Sequence, residues 1–339
     1  MKAVIMAGGE GRRLKCITGE RPKPMVPLLG RPMMEHILLL LKKHGFEDVC
    51  VAVKYRAEDI MDYFGDGASL GVRLEYRVER EALGTAGGVK NCADFYGTDD
   101  FLVISGDAAC DFDLARLMQA HRESGAGVTA ALCRSAEPLR YGLAVTDSDG
   151  RIRSFIEKPA WPRVVTDFVN TGIYVVSPRV MTLVPPGQAC DFGKELFPLL
   201  LERGELLHGE LMDGYWCDVG TPLSYYQCCA DALRGLLRLS PAPEFTAAVD
   251  PADAGDDGCG GVVCPCRDRA ELMGTLSELF MDMGADYSDG LRVSGESFDM
   301  HISPLTSRSA VRVAIESERE EFARELTSAA QELIRALDK

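Results

Sequence analysis

Residues 3–14 read AVIMAGGEGRRL, in which a short apolar run leads directly into three glycines and two arginines. This pattern predicts a buried β-strand that ends in a tight, glycine-rich turn. Glycine lets backbone N–H groups approach phosphate oxygens closely, and arginine binds those oxygens through two hydrogen bonds. The turn lacks the GxxxxGK[ST] of a P-loop, and Leu14 occupies the last glycine position of the dinucleotide pattern GxGxxG. By itself it is equally typical of a structural turn with solvated arginines.

Short β-branched runs alternate with amphipathic segments from this turn to about residue 232. Such alternation predicts an α/β fold with a mostly parallel sheet and helices on both of its faces. Ligands of these sheets bind beyond the carboxyl ends of the strands, where the glycine-rich turn lies. The predicted strands are 4–6, 49–53, 72–76, 101–104, 128–132 and 169–176, and the clearest predicted helices are 34–44 and 114–123.

The composition of the chain changes after this alternating part. Residues 239–262 are rich in Pro, Ala, Gly and Asp and have no periodicity, which predicts a linker. The sequence therefore predicts a first domain at 1–238 and a small α+β domain at 263–339. The second domain has an alternating strand at 311–315 and a final amphipathic helix. The apolar face of that helix carries Phe322, Leu326, Ala329, Leu333 and Leu337.

The overall composition is that of a globular protein, with 339 residues, 46% hydrophobic and 26% charged. Lys plus Arg number 37 and Asp plus Glu number 52, which gives a formal net charge of -15. This charge argues against nucleic acid or an anionic membrane surface as a partner. The apolar run that begins the chain is too short for a signal peptide or a membrane span, so we expect a cytoplasmic protein.

The 12 cysteines are scattered through apolar segments of a chain large enough to build a core without disulfides. We therefore expect reduced and mostly buried thiols. No CxxC pair occurs, and no histidine lies near the cluster of Cys259, Cys264 and Cys266, so the spacing argues against a zinc site.

Further motifs follow the glycine-rich turn in the order found in sugar-phosphate nucleotidyltransferases, and the chain resembles that family over nearly all of residues 1–228. The resemblance implies the Rossmann-like nucleotidyltransferase fold. Within the family, residues 31–38 and 62–67 are most similar to bacterial mannose-1-phosphate guanylyltransferases fused to a phosphomannomutase-like region. The motifs are RPKPMVPL at 21–28, LGTAG at 83–87, SGD at 105–107, IEKP at 156–159, VNTG at 169–172, DFGK at 191–194 and YWCDVG at 215–220.

The resemblance implies that a sugar-1-phosphate attacks the α-phosphorus of a nucleoside triphosphate (NTP) directly, with Mg²⁺ as the cofactor. Alone, Asp107 would be explained by a helix N-cap and Lys23 by a solvated loop. The implied catalytic residues are Arg13, Lys23 and Asp107, and the implied Mg²⁺ ligands are Asp107 and Asp218. The implied nucleotide-binding residues are Ala7, Gly8, Gly9, Gly11, Arg13, Gly84 and Thr85. The implied sugar-phosphate-binding residues are Gly142, Glu157, Lys158, Asn170 and Thr171.

The resemblance also implies GTP and mannose-1-phosphate as substrates, with another NTP or a glucose or heptose phosphate as alternatives. A different alternative is a catalytically silent regulatory subunit that binds nucleotide sugar. Residues 263–339 resemble the last domain of phosphohexomutases, but residues 304–309 lack the glycine and the acid of the phosphate loop of that domain. We therefore expect this domain to be a structural, oligomerising or regulatory remnant, which leaves a homo-oligomer open.

Overall fold

The computed structural model describes the chain in several ranges. The described residues are 1–11, 14, 21–135, 137–160, 162, 164–233, 235–239, 262–268, 272–273, 275–276, 291–295, 298–304, 310–316 and 320–337. Arg13 and residues 305–309 lie outside these ranges, as do Cys259 and nearly all of the predicted linker. Within these ranges, no helix is long and apolar enough to cross a membrane.

The described residues contain strands and helices in alternation. The strands are β1 (Lys2–Ala7), β2 (Pro27–Leu28), β3 (Arg31–Pro32), β4 (Asp48–Val53), β5 (Arg73–Val78), β6 (Phe101–Ser105), β7 (Ala108–Cys110), β8 (Val128–Arg134), β9 (Leu143–Thr146), β10 (Ile152–Ile156), β11 (Phe168–Val176), β12 (Leu207–Leu211), β13 (Trp216–Asp218), β14 (Val262–Pro265), β15 (Leu291–Gly295), β16 (Phe298–Pro304) and β17 (Ala310–Glu316). The α-helices are α1 (Met33–Lys43), α2 (Ala57–Phe64), α3 (Gly84–Lys90), α4 (Ala93–Tyr96), α5 (Leu114–Ser124), α6 (Pro178–Met181), α7 (Phe197–Glu202), α8 (Pro222–Leu233) and α9 (Glu320–Leu337).

Nine strands form one mixed sheet in the first part of the chain. Strand β1 lies between β4 and β6 and pairs with both in parallel, and β4 pairs in parallel with β5. On the far side of β6 the pairing becomes antiparallel through β11, which also contacts β8 and β9. The predicted α/β fold class is confirmed. Antiparallel pairs and one parallel pair, β8 with β12, extend the parallel half, in which β1 and β6 end at the same edge.

Two hydrophobic clusters cover the two faces of this sheet. Because neighbouring residues in a strand point to opposite faces, Ile5 belongs to one cluster and Val4 to the other. The first cluster includes side chains of α1, α2 and α5, and the second includes side chains of α3, α4, α6 and α7. Each fully buried large apolar side chain contributes roughly 1.5–3 kcal/mol to folding. This packing fixes the strand ends that carry the candidate site.

The described residues divide into two compact units. One holds 1–11, 21–219 and 235–239, and the other holds Leu14, 220–233 and the described residues from 262 onward. The second unit contains a small antiparallel sheet in the order β14-β17-β16-β15. Its core includes Val313, Ile302 and, from α9, Ala330 and Ile334. A small C-terminal sheet domain is therefore present, and its likeness to phosphohexomutases stays a prediction, as do the predicted domain boundaries.

Several sequence predictions can be compared with the described elements. The predicted helix 114–123 is α5, which is followed by the left-handed C-cap residue Gly125, and the predicted helix 34–44 is α1. The predicted strand 72–76 begins one residue later and runs to Val78. None of the described cysteines forms a disulfide, and most of them are buried, as expected. The final helix is α9, although the side chains of Phe322 and Leu333 lie outside the described part of the chain.

Candidate functional site

The glycine-rich turn follows the carboxyl end of β1, as predicted. Gly11 has a positive φ of 64°, and a Cβ atom at this position would lie 3.0 Å from Cβ of Lys23. Any side chain at residue 11 would therefore crowd the lysine. A Cβ on Gly9 would meet no atom of the described residues within 4 Å, so these residues leave open space beside this part of the turn. The turn thus brings backbone close to Lys23 and leaves room for a ligand.

Lys23 lies between Pro22 and Pro24 and is the first residue of a short helical turn, Lys23–Met25. Its side chain is only 10% exposed, and its Nζ lies 2.6 Å from Oδ2 of Asp107 and 3.4 Å from Oδ1 of Asp218. Burial alone lowers the pKa of Lys23, but the two carboxylates outweigh it, so that the pKa is raised above its ordinary value. The ammonium therefore stays charged at neutral pH and joins two carboxylates that are 111 positions apart in the sequence.

Strands β7 and β13 form an antiparallel ribbon that brings these carboxylates together. Residue Ala108 lies opposite Asp218 in the ribbon, and Asp107 immediately precedes Ala108. Asp107 also follows β6, where the hydroxyl of Ser105 donates a hydrogen bond to its Oδ1. The Ser105 contact was not predicted, although the residue belongs to the quoted SGD motif. The predicted pair of metal ligands is therefore brought to one place, and Lys23 lies between them.

The LGTAG motif packs backbone to backbone on the segment before residue 192. The N–H groups of Ala86 and Gly87 both donate to the carbonyl of Cys190, at 2.9 and 3.0 Å. The hydroxyl of Thr85 donates to Oδ2 of Asp191 at 2.9 Å and accepts from the N–H of Phe192 at 2.9 Å. The side chain of Thr85 therefore has a structural role. Its predicted contact with a nucleoside stays a prediction.

Gly84 allows this close packing, and its replacement should be costly. Its φ is +68°, and a Cβ would lie 2.6 Å from the carbonyl oxygen of Cys190. Gly204 has a similar φ of +72°, and a Cβ there would meet no atom of the described part of the chain within 4 Å, so Gly204→Ala is a matched control for backbone strain. We expect Gly204→Ala to lower the free energy of unfolding by about 1–2 kcal/mol, and Gly84→Ala by roughly 1–3 kcal/mol more. Chemical denaturation measures both values, and equal losses would show that the close contact has no cost.

Glu79 follows β5 and lies beside two glycines, Gly8 of the first turn and Gly88 of α3. A Cβ on Gly88 would lie 2.4 Å from its Oε1, and a Cβ on Gly8 would lie 3.8 Å from both oxygens. Oε2 accepts a long hydrogen bond of 3.4 Å from the N–H of Leu83. Burial raises the pKa of Glu79 above its ordinary value. Sequence reasoning missed this carboxylate, and only its position before LGTAG could have drawn attention to it.

Glu157, which is predicted to bind the sugar, lies beside Gly142, another of the predicted sugar-binding residues. A Cβ on Gly142 would lie 2.7 Å from Oε2 of Glu157, and a Cβ on Gly193 would lie 2.9 Å from the same atom. Two glycines thus make room for one carboxylate. Burial and then the charge of Asp191 raise the pKa of Glu157, while Lys158 and Lys194 act in the opposite direction. Lys194 was quoted in the DFGK motif but was not predicted to bind substrate.

Asn170 and Thr171 lie on β11, and their side chains have protein partners. Nδ2 of Asn170 donates to the hydroxyl of Tyr174 at 2.8 Å, and the backbone N–H of Asn170 donates to the carbonyl of Gly142 at 2.8 Å. The hydroxyl of Thr171 is buried and donates to the carbonyl of Ala131 at 2.8 Å. The side chain of Thr171 therefore ties β11 to β8. Its predicted role in sugar binding stays a prediction.

The candidate site thus contains two clusters of charge. One consists of Lys23, Asp107 and Asp218 at the ends of β6 and β13. The other consists of Glu157 with the cations Lys158 and Lys194 and the carboxylate of Asp191, which is also bonded to Thr85. Carboxylates suit a hard cation and sugar hydroxyls, and ammonium groups suit phosphate. The arrangement can therefore bind anionic phosphates, a divalent cation and a polyhydroxyl compound.

Residues 2–235 match the protein family described as "Nucleotidyl transferase". The chain is 41% identical over 250 residues to a UTP–glucose-1-phosphate uridylyltransferase of Synechocystis sp. This alignment covers 70% of this chain and 63% of the relative. It is 37% identical over 242 residues to a mannose-1-phosphate guanylyltransferase of Mycobacterium tuberculosis. This alignment covers 71% of this chain and 66% of the relative. The match therefore spans less than two thirds of the length of each of these relatives.

The fold is also similar to solved structures. HddC from Yersinia pseudotuberculosis, solved in complex with GMP-PN, matches with a TM-score of 0.59 and 27% sequence identity. The match covers 68% of this chain and 98% of HddC.

Proposed function

The chain belongs to the nucleotidyl transferase family, and from this premise we propose that it transfers a nucleotidyl group from an NTP to a sugar-1-phosphate. One phosphate oxygen of the sugar-1-phosphate attacks the α-phosphorus, and a new P–O bond forms. The bond between the α-phosphorus and the bridging oxygen to the β-phosphorus breaks, and its electrons leave with pyrophosphate. The attacking oxygen belongs to an ionised phosphate, so the step requires no proton removal by the protein.

The observation that carries this proposal is the charged Lys23 between Asp107 and Asp218, next to the glycine-rich turn. Two anionic substrates repel each other unless positive charge lies between them. The ammonium of Lys23 neutralises phosphate oxygens, and the backbone of the turn approaches the triphosphate. Positioning and electrostatic stabilisation then supply most of the rate, and no covalent intermediate is needed.

The two carboxylates also fit Mg²⁺. Both are directed at one position, since the same ammonium nitrogen contacts an oxygen of each. Mg²⁺ in proteins is commonly bound by one or two carboxylates, with phosphates and waters as its other ligands. We therefore propose Asp107 and Asp218 as its ligands. When bound, Mg²⁺ would neutralise triphosphate charge at this position.

The acceptor sugar is proposed to bind at the second cluster. Glu157 lies in the space that Gly142 and Gly193 provide, and its carboxylate accepts hydrogen bonds from sugar hydroxyls. Lys158 and Lys194 act electrostatically on the same carboxylate, and we propose that these two cations neutralise the sugar phosphate. We propose mannose-1-phosphate as the acceptor, which is supported by the sequence resemblance and by the relative from Mycobacterium tuberculosis.

Glu79 supports GTP as the donor. A carboxylate offers only acceptor oxygens, and guanine presents two adjacent donors, its N1–H and its 2-amino group. Uracil and thymine present one N–H between two carbonyl oxygens, which a carboxylate repels. Because Glu79 lies beside Gly8 and Gly88, it borders the space next to the glycine-rich turn. We therefore propose that its oxygens bind the guanine edge.

The variant Glu79→Gln tests this assignment, because an amide offers a donor as well as an acceptor. We expect kcat/KM for GTP to fall about 10- to 100-fold, corresponding to the loss of one two-bond contact with a base. We expect kcat/KM for UTP to fall less or to rise. Glu75→Gln, on an exposed position of β5 that pairs with Arg77, is the matched control. An unchanged ratio of GTP to UTP activity would exclude Glu79 as the residue that selects the base.

A pyrophosphate-release assay tests the function as a whole. It combines GTP, UTP, dTTP and ATP with mannose, glucose and heptose 1-phosphates in the presence of Mg²⁺. We expect the highest kcat/KM with GTP and mannose-1-phosphate. Release only with UTP or dTTP and glucose-1-phosphate would replace the proposed substrates and keep the reaction. Binding of nucleotide sugar without any turnover in the panel would instead favour a regulatory subunit.

A further inference from the structure

Asp111 lies one residue beyond β7 and binds the backbone of two distant segments. Its Oδ1 accepts the N–H of Tyr215 at 2.7 Å, and its Oδ2 accepts the N–H of Arg238 at 2.9 Å. Its own backbone N–H donates to the carbonyl of Tyr215 at 3.2 Å. Bonds to an ionised acceptor are stronger than bonds between neutral groups. Asp111 thus ties the end of β7 to the residue that precedes β13.

The turn before β13 is shaped to admit this carboxylate. Gly214 has a φ of +120°, and a Cβ there would lie 2.5 Å from Oδ1 of Asp111. A residue with a side chain would therefore displace the carboxylate, and most such residues avoid this backbone conformation. The close approach lies at a partly exposed end of the ribbon, where Gly214 is exposed and Asp111 is half-buried.

The register of the ribbon decides where Asp218 points. Trp216 lies opposite Cys110, and Asp218 lies opposite Ala108, beside Asp107. Successive side chains of a strand point to opposite faces, so a shift of one residue would turn Asp218 away from Asp107 and Lys23. A ribbon of three residues per strand has few bonds of its own to hold this register. Asp111 supplies additional bonds at the end of the ribbon opposite the carboxylate pair.

We infer that Asp111 is a positioning residue, which sets the register of β13 on β7 and thereby holds Asp107 and Asp218 at the spacing that a divalent cation needs. This inference rests on the proposed metal site. Asp111 itself contacts neither substrate nor cation in this scheme. Its effect is on metal affinity, because residues that orient metal ligands typically contribute 10- to 100-fold to binding.

Mn²⁺ binding to the full chain without nucleotide, followed by electron paramagnetic resonance, tests the inference independently of turnover. We expect Asp111→Ala to weaken Mn²⁺ binding about 10-fold or more. We expect Asp111→Asn to weaken it less, because its amide oxygen still accepts one backbone N–H. Kinetics should show the same order, with a raised Mg²⁺ requirement and a kcat that recovers in part at saturating Mg²⁺.

The matched control is Asp113→Ala, which removes the N-cap of α5, where Asp113 accepts the N–H of Arg116 at 3.0 Å. This change should lower thermal stability and leave Mn²⁺ affinity unchanged. If folded Asp111→Ala and Asp111→Asn both bind Mn²⁺ like the wild type, the inference is wrong while the metal site stands. If the wild type binds no Mn²⁺ and its turnover does not depend on Mg²⁺, the proposed metal site is itself wrong.

Discussion

Asp107→Asn is expected to lower kcat by about 10²- to 10³-fold at saturating substrates, the loss that follows removal of one group that stabilises transition-state charge. The amide keeps the shape of the side chain but removes the negative charge that faces Lys23 at 2.6 Å. It is also a much weaker ligand for Mg²⁺ than a carboxylate. Pyrophosphate release with Mg²⁺, measured as kcat and KM for each substrate, gives the effect.

The control for this variant is Asp113→Asn, a few residues along the chain. Asparagine is as good a helix N-cap as aspartate, so this change should leave both folding and turnover close to those of the wild type. Circular dichroism would establish that the Asp107 variant is folded. A folded Asp107→Asn enzyme with unchanged kcat would remove Asp107 from the proposed catalytic and metal-binding residues.

Lys23→Met is expected to have two separate effects. Turnover should fall about 10²- to 10³-fold, because the buried cation that neutralises phosphate is lost. Stability of the metal-free protein should also fall, because Asp107 and Asp218 then face each other without a counter-ion. The decrease in the free energy of unfolding should be smaller than the roughly 3–5 kcal/mol that follows removal of one partner from a fully buried ion pair. The side chains of Asp107 and Asp218 are 25% and 34% exposed, so water offsets part of the repulsion between the two carboxylates.

Thermal melts with and without Mg²⁺ separate these effects. A divalent cation replaces the missing ammonium, so Mg²⁺ without nucleotide should raise the Tm of Lys23→Met more than that of the wild type. Lys43→Met, on an exposed position of α1, is the control for loss of a lysine. If Mg²⁺ stabilises both proteins equally, the two carboxylates do not form the proposed cation site.

Periodicity in the sequence predicted the parallel part of the fold because these signals are local. The run 3–7 is apolar throughout, as expected of a strand that is buried on both faces, and it forms the central strand β1. The helix predicted at 114–123 is α5, whose last residue, Ser124, is followed by the left-handed C-cap Gly125, a residue type typical of this position. Glycine spacing likewise predicted the turn after β1.

The pairing between strands that are distant in the sequence could not be predicted from these local signals. The antiparallel half of the sheet depends on contacts such as that of β11 with β6, and nothing in the two segments alone specifies their direction. The hydroxyls of Thr85 and Thr171 illustrate the same limit. Their motifs predict substrate binding, which stays a prediction, but did not indicate that in the folded chain these hydroxyls bond to Asp191 and Ala131.

The sequence by itself determined the α/β class and the glycine-rich turn, because strand periodicity and turn chemistry are properties of short segments, whereas the candidate site residues were predicted from the family resemblance. Only the tertiary structure decided that Lys23 lies between Asp107 and Asp218, that Glu79 borders the glycine-rich turn and that Asp111 holds the β7–β13 ribbon. These contacts join residues that are up to 195 positions apart. Their geometry follows from strand register and core packing, which fix the position of a side chain only when the whole sheet has formed.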